Sequence, residues 1–235
     1  HYLRHIDSFH QLLFQQDHEK ENPEVTTFAG SGAAGSTNAT GTASSFKYPR
    51  GITTDGTNLY VADHGNHRIR KIVIDNGTVT TLAGSSYGST DATGTSASFN
   101  SPRGITTDGT NLYVADYSNH RIRKIVISTG VVTTLAGSSS GSTDATGTSA
   151  KFKNAWGITT DGTNLYVADS DNHKIRKIVI STGVVTTLAG SGSSGSTDAA
   201  GTAATFKRPA SMAIDGTSLY VADYDNHKIR KIDLR

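Results

Sequence analysis

Residues 51–63 read GITTDGTNLYVAD; the stretch returns at residues 104–116 and 157–169, and as SMAIDGTSLYVAD at residues 211–223. The copies start 53, 53 and 54 residues apart (51 to 104, 104 to 157, 157 to 211), and the extra residue falls in the segment that begins at Gly190. A length change tolerated there marks that segment as a surface loop. Each copy divides into four short strands. In the first copy, residues 51–54 begin strand one, and Asp55-Gly56 makes a turn because Gly accepts a positive φ at no steric cost. Residues 59–62 form the second strand, and a turn through Asp63, His64, Gly65 and Asn66 leads to the third, residues 68–74. After Asp75-Asn76-Gly77 the fourth strand runs over residues 79–83, and a Gly/Ser/Thr-rich loop returns to the next copy.

Four antiparallel strands per unit at this period read as blades, since one such sheet cannot bury both faces until neighbours pack against it. The expected fold is therefore all-β: a β-propeller of four four-stranded blades over residues 25–235. Residues 25–30, VTTFAG, copy the fourth-strand sequence VTTLAG at residues 79–84, yet they precede the first full repeat, and the last repeat stops after its third strand. The N-terminal strand is expected to pair with residues 228–233 and close the ring, removing an open sheet edge. Closure within one four-bladed chain is preferred over closure between two chains as an eight-bladed ring.

Composition agrees. Of the 235 residues, 18% are charged and 34% hydrophobic, too little Leu, Glu and Lys for long amphipathic helices, and 25 Gly suit many turns. Net charge is +2, so no overall field attracts nucleic acid or an anionic membrane. No run approaches the roughly 18 apolar residues of a membrane span, and no signal-peptide pattern is evident. Zero Cys excludes disulfides, thiolate chemistry and Cys-ligated metals. The chain begins at His1 rather than Met, which suggests processing or an engineered start. Residues 1–24 stand outside the repeats: Tyr2, Ile6, Phe9 and Leu13 fall about one helical turn apart and predict a short amphipathic helix, before a polar, Pro-containing linker. Its apolar side is expected to dock on the protein's own surface or to mediate self-assembly.

The recurring LYVADxxNHRIRKI, VVTTLAG and AxFxxPRG segments resemble those of the NHL-repeat propellers, over residues 25 to 235. The resemblance implies a propeller fold. It also implies a choice among protein-binding, RNA-binding and enzyme-associated roles, which a fold alone does not make. Many members of that family have six blades, so four is a departure. The Thr/Ser/Gly-rich surface and lack of Cys resemble secreted bacterial members, which implies an extracellular or periplasmic setting.

Where near-copies share one chain, a residue present in all of them serves the blade, and a position that differs is the better functional lead. Asp63, Asp116, Asp169 and Asp223 are expected to cap the following turn. His67, His120, His173 and His227 are read as turn residues held too far apart to share a metal. The third-strand basic runs, such as Arg68-Ile69-Arg70-Lys71, are read as solvated strand faces rather than nucleic-acid contacts. Symmetry breaks where the inner strands begin: Arg50, Arg103, Trp156 and Ala210 occupy one position. Two guanidinium groups and an indole at a channel mouth suit a carboxylate, phosphate or sugar. The structural alternative is that each Arg pairs with a nearby Asp and Trp156 fills the space of a missing Arg.

The sequence carries no G-x-S-x-G, no H-E-x-x-H and no phosphate-binding glycine loop. The expected function is thus a non-enzymatic binding or scaffold propeller for a protein, glycan or small anionic ligand, with no catalytic residues and no cofactor. A lyase- or hydrolase-like propeller with a metal at the channel is the alternative.

Overall fold

The computed structural model describes residues 23–235, and the expected helix with Tyr2, Ile6, Phe9 and Leu13 lies outside them. Fifteen strands form four antiparallel sheets, each in sequential order. Blade one holds β1 (Pro49–Thr54), β2 (Asn58–Asp63), β3 (Arg68–Val73) and β4 (Val79–Ala83). Blade two holds β5 (Pro102–Thr107), β6 (Asn111–Asp116), β7 (Arg121–Val126) and β8 (Val132–Ala136). Blade three holds β9 (Ala155–Thr160), β10 (Asn164–Asp169), β11 (Lys174–Val179) and β12 (Val185–Ala189), and blade four holds β13 (Pro209–Ile214), β14 (Ser218–Asp223) and β15 (Lys228–Asp233). The all-β, four-bladed architecture is the expected one. No helix among the described residues is long and apolar enough to cross a membrane.

Each first turn is built by its Asp. The Asp55 carboxylate accepts the Thr57 and Asn58 N–H groups at 2.9 and 2.7 Å and the Tyr60 hydroxyl at 2.7 Å, while Gly56 sits at φ +88°. Although burial raises its pKa, these donors pull it down to about 2.

Period-two alternation sends Tyr60, Ala62 and Ile69 to one face of blade one, where they pack on Ile105, Leu112, Val114 and Phe99 of blade two. The next two seams repeat this arrangement. Along the axis, Gly51, Gly104 and Gly157 each face a backbone carbonyl of the following blade, that of Arg103, Trp156 or Ala210, where a Cβ would collide. The inner strands therefore touch in the order β1, β5, β9, β13.

The basic third strands differ from expectation. Arg70, Arg123 and Arg176 are fully buried, and Arg230 nearly so. Arg123 donates to Asp116 at 2.8 Å, to Asp91 at 2.6 and 3.1 Å, and to the carbonyls of Ser98 and Thr90, with its guanidinium carbon 5.0 Å from the Phe99 ring centre. Only the flanking residues, such as Arg68 and Lys71 or Lys174 and Lys177, keep the solvent contact expected of the whole run. The buried arginine ties the long loop to its blade, because the carboxylates and carbonyls it bonds offset the cost of burying its charge. Asp116 differs from expectation too: it makes no cap bond to the backbone of the following turn, and accepts instead the Asn100 N–H of the preceding loop at 2.7 Å and the Asn119 side-chain amide at 2.8 Å, because its carboxylate is turned toward the buried Arg123.

The expected closure by residues 25–29 is not formed. The fourth sheet has three strands, residues 25–29 are not in a strand, and β13 does not pack on β1. Ala29 packs instead with Phe46, Leu59, Val61 and Ile72 of blade one, and residues 26–29 line a groove with them. Gly30 N–H and Ser31 N–H hold them there through the carbonyls of Gly41 and Ser44 at 3.2 and 2.8 Å. The four blades thus make an open arc. The physical reason is that closing a ring requires the angle between blades to sum to a full turn, and seam packing sets that angle.

Candidate functional site

The residues at which the repeats diverge sit on a β-bulge in every blade. Pairing along β5 and β6 jumps from Pro102↔Asp116 to Ile105↔Val114, so Arg103 and Gly104 share the extra residue. Blades one, three and four bulge likewise at Arg50, Trp156 and Ala210. A bulge re-aims the side chain it carries, here away from the regular ladder.

The structure brings Arg103 and Trp156 together. The Arg103 guanidinium carbon lies 4.3 Å from the Trp156 ring centre and 3.5 Å from that of Tyr117. Two aromatic faces therefore hold one cation. Neither Nε nor Nη1 of Arg103, both buried, has a hydrogen-bond partner among the described residues. The Arg–Asp pairing offered as the structural alternative is not what Arg103 does. Burial lowers its pKa, and the charges of Arg50 and Arg208 push the same way.

Arg50 is exposed at the start of β1, in a recess with Tyr48, Pro49 and His64. His64 lies between the two arginines in charge terms: burial lowers its pKa, and Arg50 and Arg103 lower it further. Its Nδ1 lies 3.3 Å from the Pro102 carbonyl. On the other side Trp156 meets Tyr224 at 5.7 Å between ring centres. Arg208 bridges Asp171 and Asp225 at 3.4 and 3.7 Å. The rim is thus a cationic pair, Arg50 and Arg103, running into an aromatic run, Tyr117, Trp156 and Tyr224, with a neutralised Arg208 beyond.

Sequence reasoning found Arg50, Arg103 and Trp156 and missed His64, Tyr117, Tyr224, Asp171 and Arg208. A signal for them existed. The residue after each of Asp63, Asp116, Asp169 and Asp223 reads His64, Tyr117, Ser170 and Tyr224, a second break in the symmetry. In blade three the small Ser170 Oγ donates to the Pro209 carbonyl at 2.7 Å, a backbone anchor where blades two and four present an aromatic ring.

The repeated histidines are structural, as expected. His67, His120 and His173 adopt left-handed φ near +57° and each accepts, through Nδ1, the N–H of Ser101, Asn154 or Arg208 in the next blade at 3.0–3.1 Å. Among the described residues no three His, Cys, Asp or Glu side chains gather as a metal-holding group. A channel metal for the lyase- or hydrolase-like alternative thus lacks a donor set there.

Comparison with known proteins agrees with the architecture. Residues 46–72 and 99–125 match the NHL repeat. The chain is 33% identical over 237 residues to the chloroplastic protein SUPPRESSOR OF QUENCHING 1 of Arabidopsis thaliana, across 91% of this chain and 22% of that protein. It is 31% identical over 270 residues to human NHL repeat-containing protein 2, across 97% of this chain and 37% of that one. The chain therefore spans well under half the length of either relative. Its fold is like that of an auxiliary nutrient binding protein from Bacteroides ovatus, with a TM-score of 0.64 at 21% identity over 84% of this chain and 54% of that one. Repeat, relatives and blades together place the chain in the NHL-repeat β-propeller family.

Proposed function

We propose that the protein is a non-catalytic binding propeller whose inner rim takes a small ligand bearing a carboxylate or phosphate, with a sugar-like ring beside it. The observation that carries this reading is Arg103: a guanidinium held between Tyr117 and Trp156 with buried N–H edges that no described residue accepts from. A buried unpaired donor costs about 1–3 kcal/mol, which an incoming anion would recover as a charge-assisted bond. Arg50 adds a second, exposed cation, and Trp156 and Tyr224 add faces on which a ring can stack. The fold likeness to a nutrient binding protein supports a binding role of this kind. An extracellular or periplasmic setting belongs to the same reading, as does presentation of the loop-rich face to a protein or glycan.

Calorimetric titration with inorganic phosphate, acetate and glucuronate tests it. Saturable binding of at least one is expected, with Arg103→Ala weakening it by about 1–3 kcal/mol, roughly 5- to 150-fold. Glucuronate should exceed acetate if the aromatic run stacks the ring. No binding by any of the three, or equal binding by Arg50→Ala and Arg103→Ala variants, would overturn the proposal.

A further inference from the structure

We infer that the loop-rich face docks an acidic polysaccharide, a polymer of sugar rings bearing carboxylates or sulfates, on lysines and arginines that surround the Arg103 rim. The inference rests on the reading that this face meets a glycan, and it supplies the chemistry of that partner.

The net charge of +2 conceals a separation of charge along the axis. Strand register puts the start of the inner strand, the end of the second and the start of the third at one end of each blade, as where Pro102 pairs with Asp116 and Asp116 with Arg121. At that end lie residues 100–103 and 117–121 with their counterparts 47–50 and 64–68, 153–156 and 170–174, and 207–210 and 224–228. Together these segments hold ten Lys and Arg against two Asp, Asp171 and Asp225. The turns at the opposite end, residues 55–58, 74–78, 108–111, 127–131, 161–164, 180–184 and 215–218, hold five Asp and no basic residue. A polyanion meets only one end at a time, so it feels a field that the net charge hides. Blades two and three, enclosed between neighbours, carry the pattern by themselves, with Arg103, Arg121, Lys153 and Lys174 against Asp171.

These cations are not neutralised from within. The buried arginines of the third strands pair with Asp63, Asp116, Asp169 and Asp223. Among the described residues, the only ion pairs formed within the basic segments are those of Arg208 with Asp171 and Asp225 at 3.4 and 3.7 Å. Arg121 donates Nη1 to the Ser89 carbonyl at 3.0 Å, and its buried Nε meets no acceptor among the described residues. Lys153 is exposed, yet its backbone is fixed: its N–H donates to Asp169 at 2.7 Å and its carbonyl accepts the Asp171 N–H at 3.2 Å. Lys207 is exposed and held in the same way by Asp223 and Asp225. The blade thus fixes where each ammonium is rooted and leaves the charge itself to solvent.

The neighbours of these cations select the kind of polyanion. Where the long loops leave the outer strands, Ser85, Ser86, Ser138 and Ser139 stand exposed, and hydroxyls beside cations match a hydroxylated, charged polymer. Nucleic acid bases stack in succession on open rings. Here Arg103 takes one face each of Tyr117 and Trp156, which leaves room for a single ring rather than a run of bases. Stable attachment to an anionic lipid surface takes an apolar signal beside the basic one. Of residues 84–90 and 137–143, only Tyr87 is a large exposed apolar side chain.

The experiment measures binding of polygalacturonate to the full chain, beside neutral dextran, a single-stranded oligodeoxynucleotide and phosphatidylserine vesicles at matched charge. Polygalacturonate is expected to bind and dextran not to. Its affinity should fall at least ~10-fold between 0.1 and 1 M salt, as the Debye length contracts from about 10 to about 3 Å. Lys153→Glu with Lys174→Glu should weaken it at least ~10-fold, and Lys124→Glu with Lys177→Glu, the same charge change midway along the blades, less than ~2-fold. Both double variants should keep the wild-type circular dichroism spectrum. Arg103→Ala should shift polygalacturonate less than ~3-fold, because many cations share the polymer. Absence of polygalacturonate binding overturns the inference, and it does so for this inference alone if glucuronate still binds at Arg103. Equal losses in the two double variants, loss of polymer binding in Arg103→Ala, or tighter binding of the oligonucleotide or the vesicles would overturn it as well.

Discussion

Replacing Arg123 by Met while leaving everything else intact removes five hydrogen bonds and the stack on Phe99. Asp116 would keep the Asn100 N–H and Asn119 amide but lose its only cation, at a site with no solvent exposure. The Ser98 carbonyl would lose its donor too, while that of Thr90 would keep the Ser98 N–H. Breaking a buried pair from one side costs about 3–5 kcal/mol, and the methionine returns part of the apolar packing on Phe99. The same change at Arg230 is the internal control. Arg230 makes four comparable bonds, but it lies on the open edge of blade four, where its partner Asp198 is largely in water. Water can replace those bonds, so its loss should cost about 1–3 kcal/mol. Urea unfolding followed by circular dichroism, with hydrogen exchange per blade if the transition is not two-state, measures the difference. Equal costs at the two positions, or an Arg123→Met loss under about 1 kcal/mol, would refute the claim that these arginines hold the blades by buried pairing.

Three further outcomes follow from the same geometry. Asn38 stands where blades two and three have Asp91 and Asp144, and Arg70 Nε is left without an acceptor among the described residues, so Asn38→Asp should stabilise blade one by up to about 1 kcal/mol in urea midpoints. The pKa values of His67, His120 and His173 are lowered by burial below their ordinary 6.5. Protonation at Nδ1 would remove the acceptor each offers the next blade. Because the folded values are depressed, the contribution is complete above the unfolded pKa and is lost as pH falls through the folded one, so stability should drop on acidification below about pH 6.5. His120→Asn, which tolerates the left-handed φ, should flatten that dependence, and an unchanged slope would count against the seam bonds. Gly104→Ala places a Cβ against the Trp156 carbonyl and should cost about 1–3 kcal/mol, with hydrogen exchange rising on β5 and β9.

The blades were legible in the sequence because turn chemistry and period-two alternation repeat four times, and Asp55-Gly56 behaves as its local rule requires, whereas Asp63 leaves its turn uncapped and accepts from the Lys47 N–H and Arg70. The buried arginines were not. Alternation in Arg68-Ile69-Arg70-Lys71 says which side chains share a face, yet Arg70 finds its acceptors in Asp63, seven residues back, and in the Ser45 and Thr37 carbonyls, 25 and 33 residues back. Such partners arise from loop packing, which no period encodes. Arg103 and Trp156 were visible as broken symmetry, and their contact required the bulges that turn both toward the rim. The copy of the fourth strand at residues 25–30 was equally plain. Its failure to meet β15 in one chain depends on the angle between blades, which follows from the close approach at Gly51, Gly104 and Gly157.

The rim's central claim has a reporter built in. Trp156 is the only tryptophan of the chain and lies on the Arg103 guanidinium, so its emission reads the state of that cation directly. Titration of the wild-type chain with glucuronate or inorganic phosphate is predicted to change Trp156 fluorescence saturably, with a midpoint that rises with salt and with loss of the change in Arg103→Ala. A linear, unsaturating response, or the same saturable curve in the Arg103→Ala variant, would contradict an anion site at the rim.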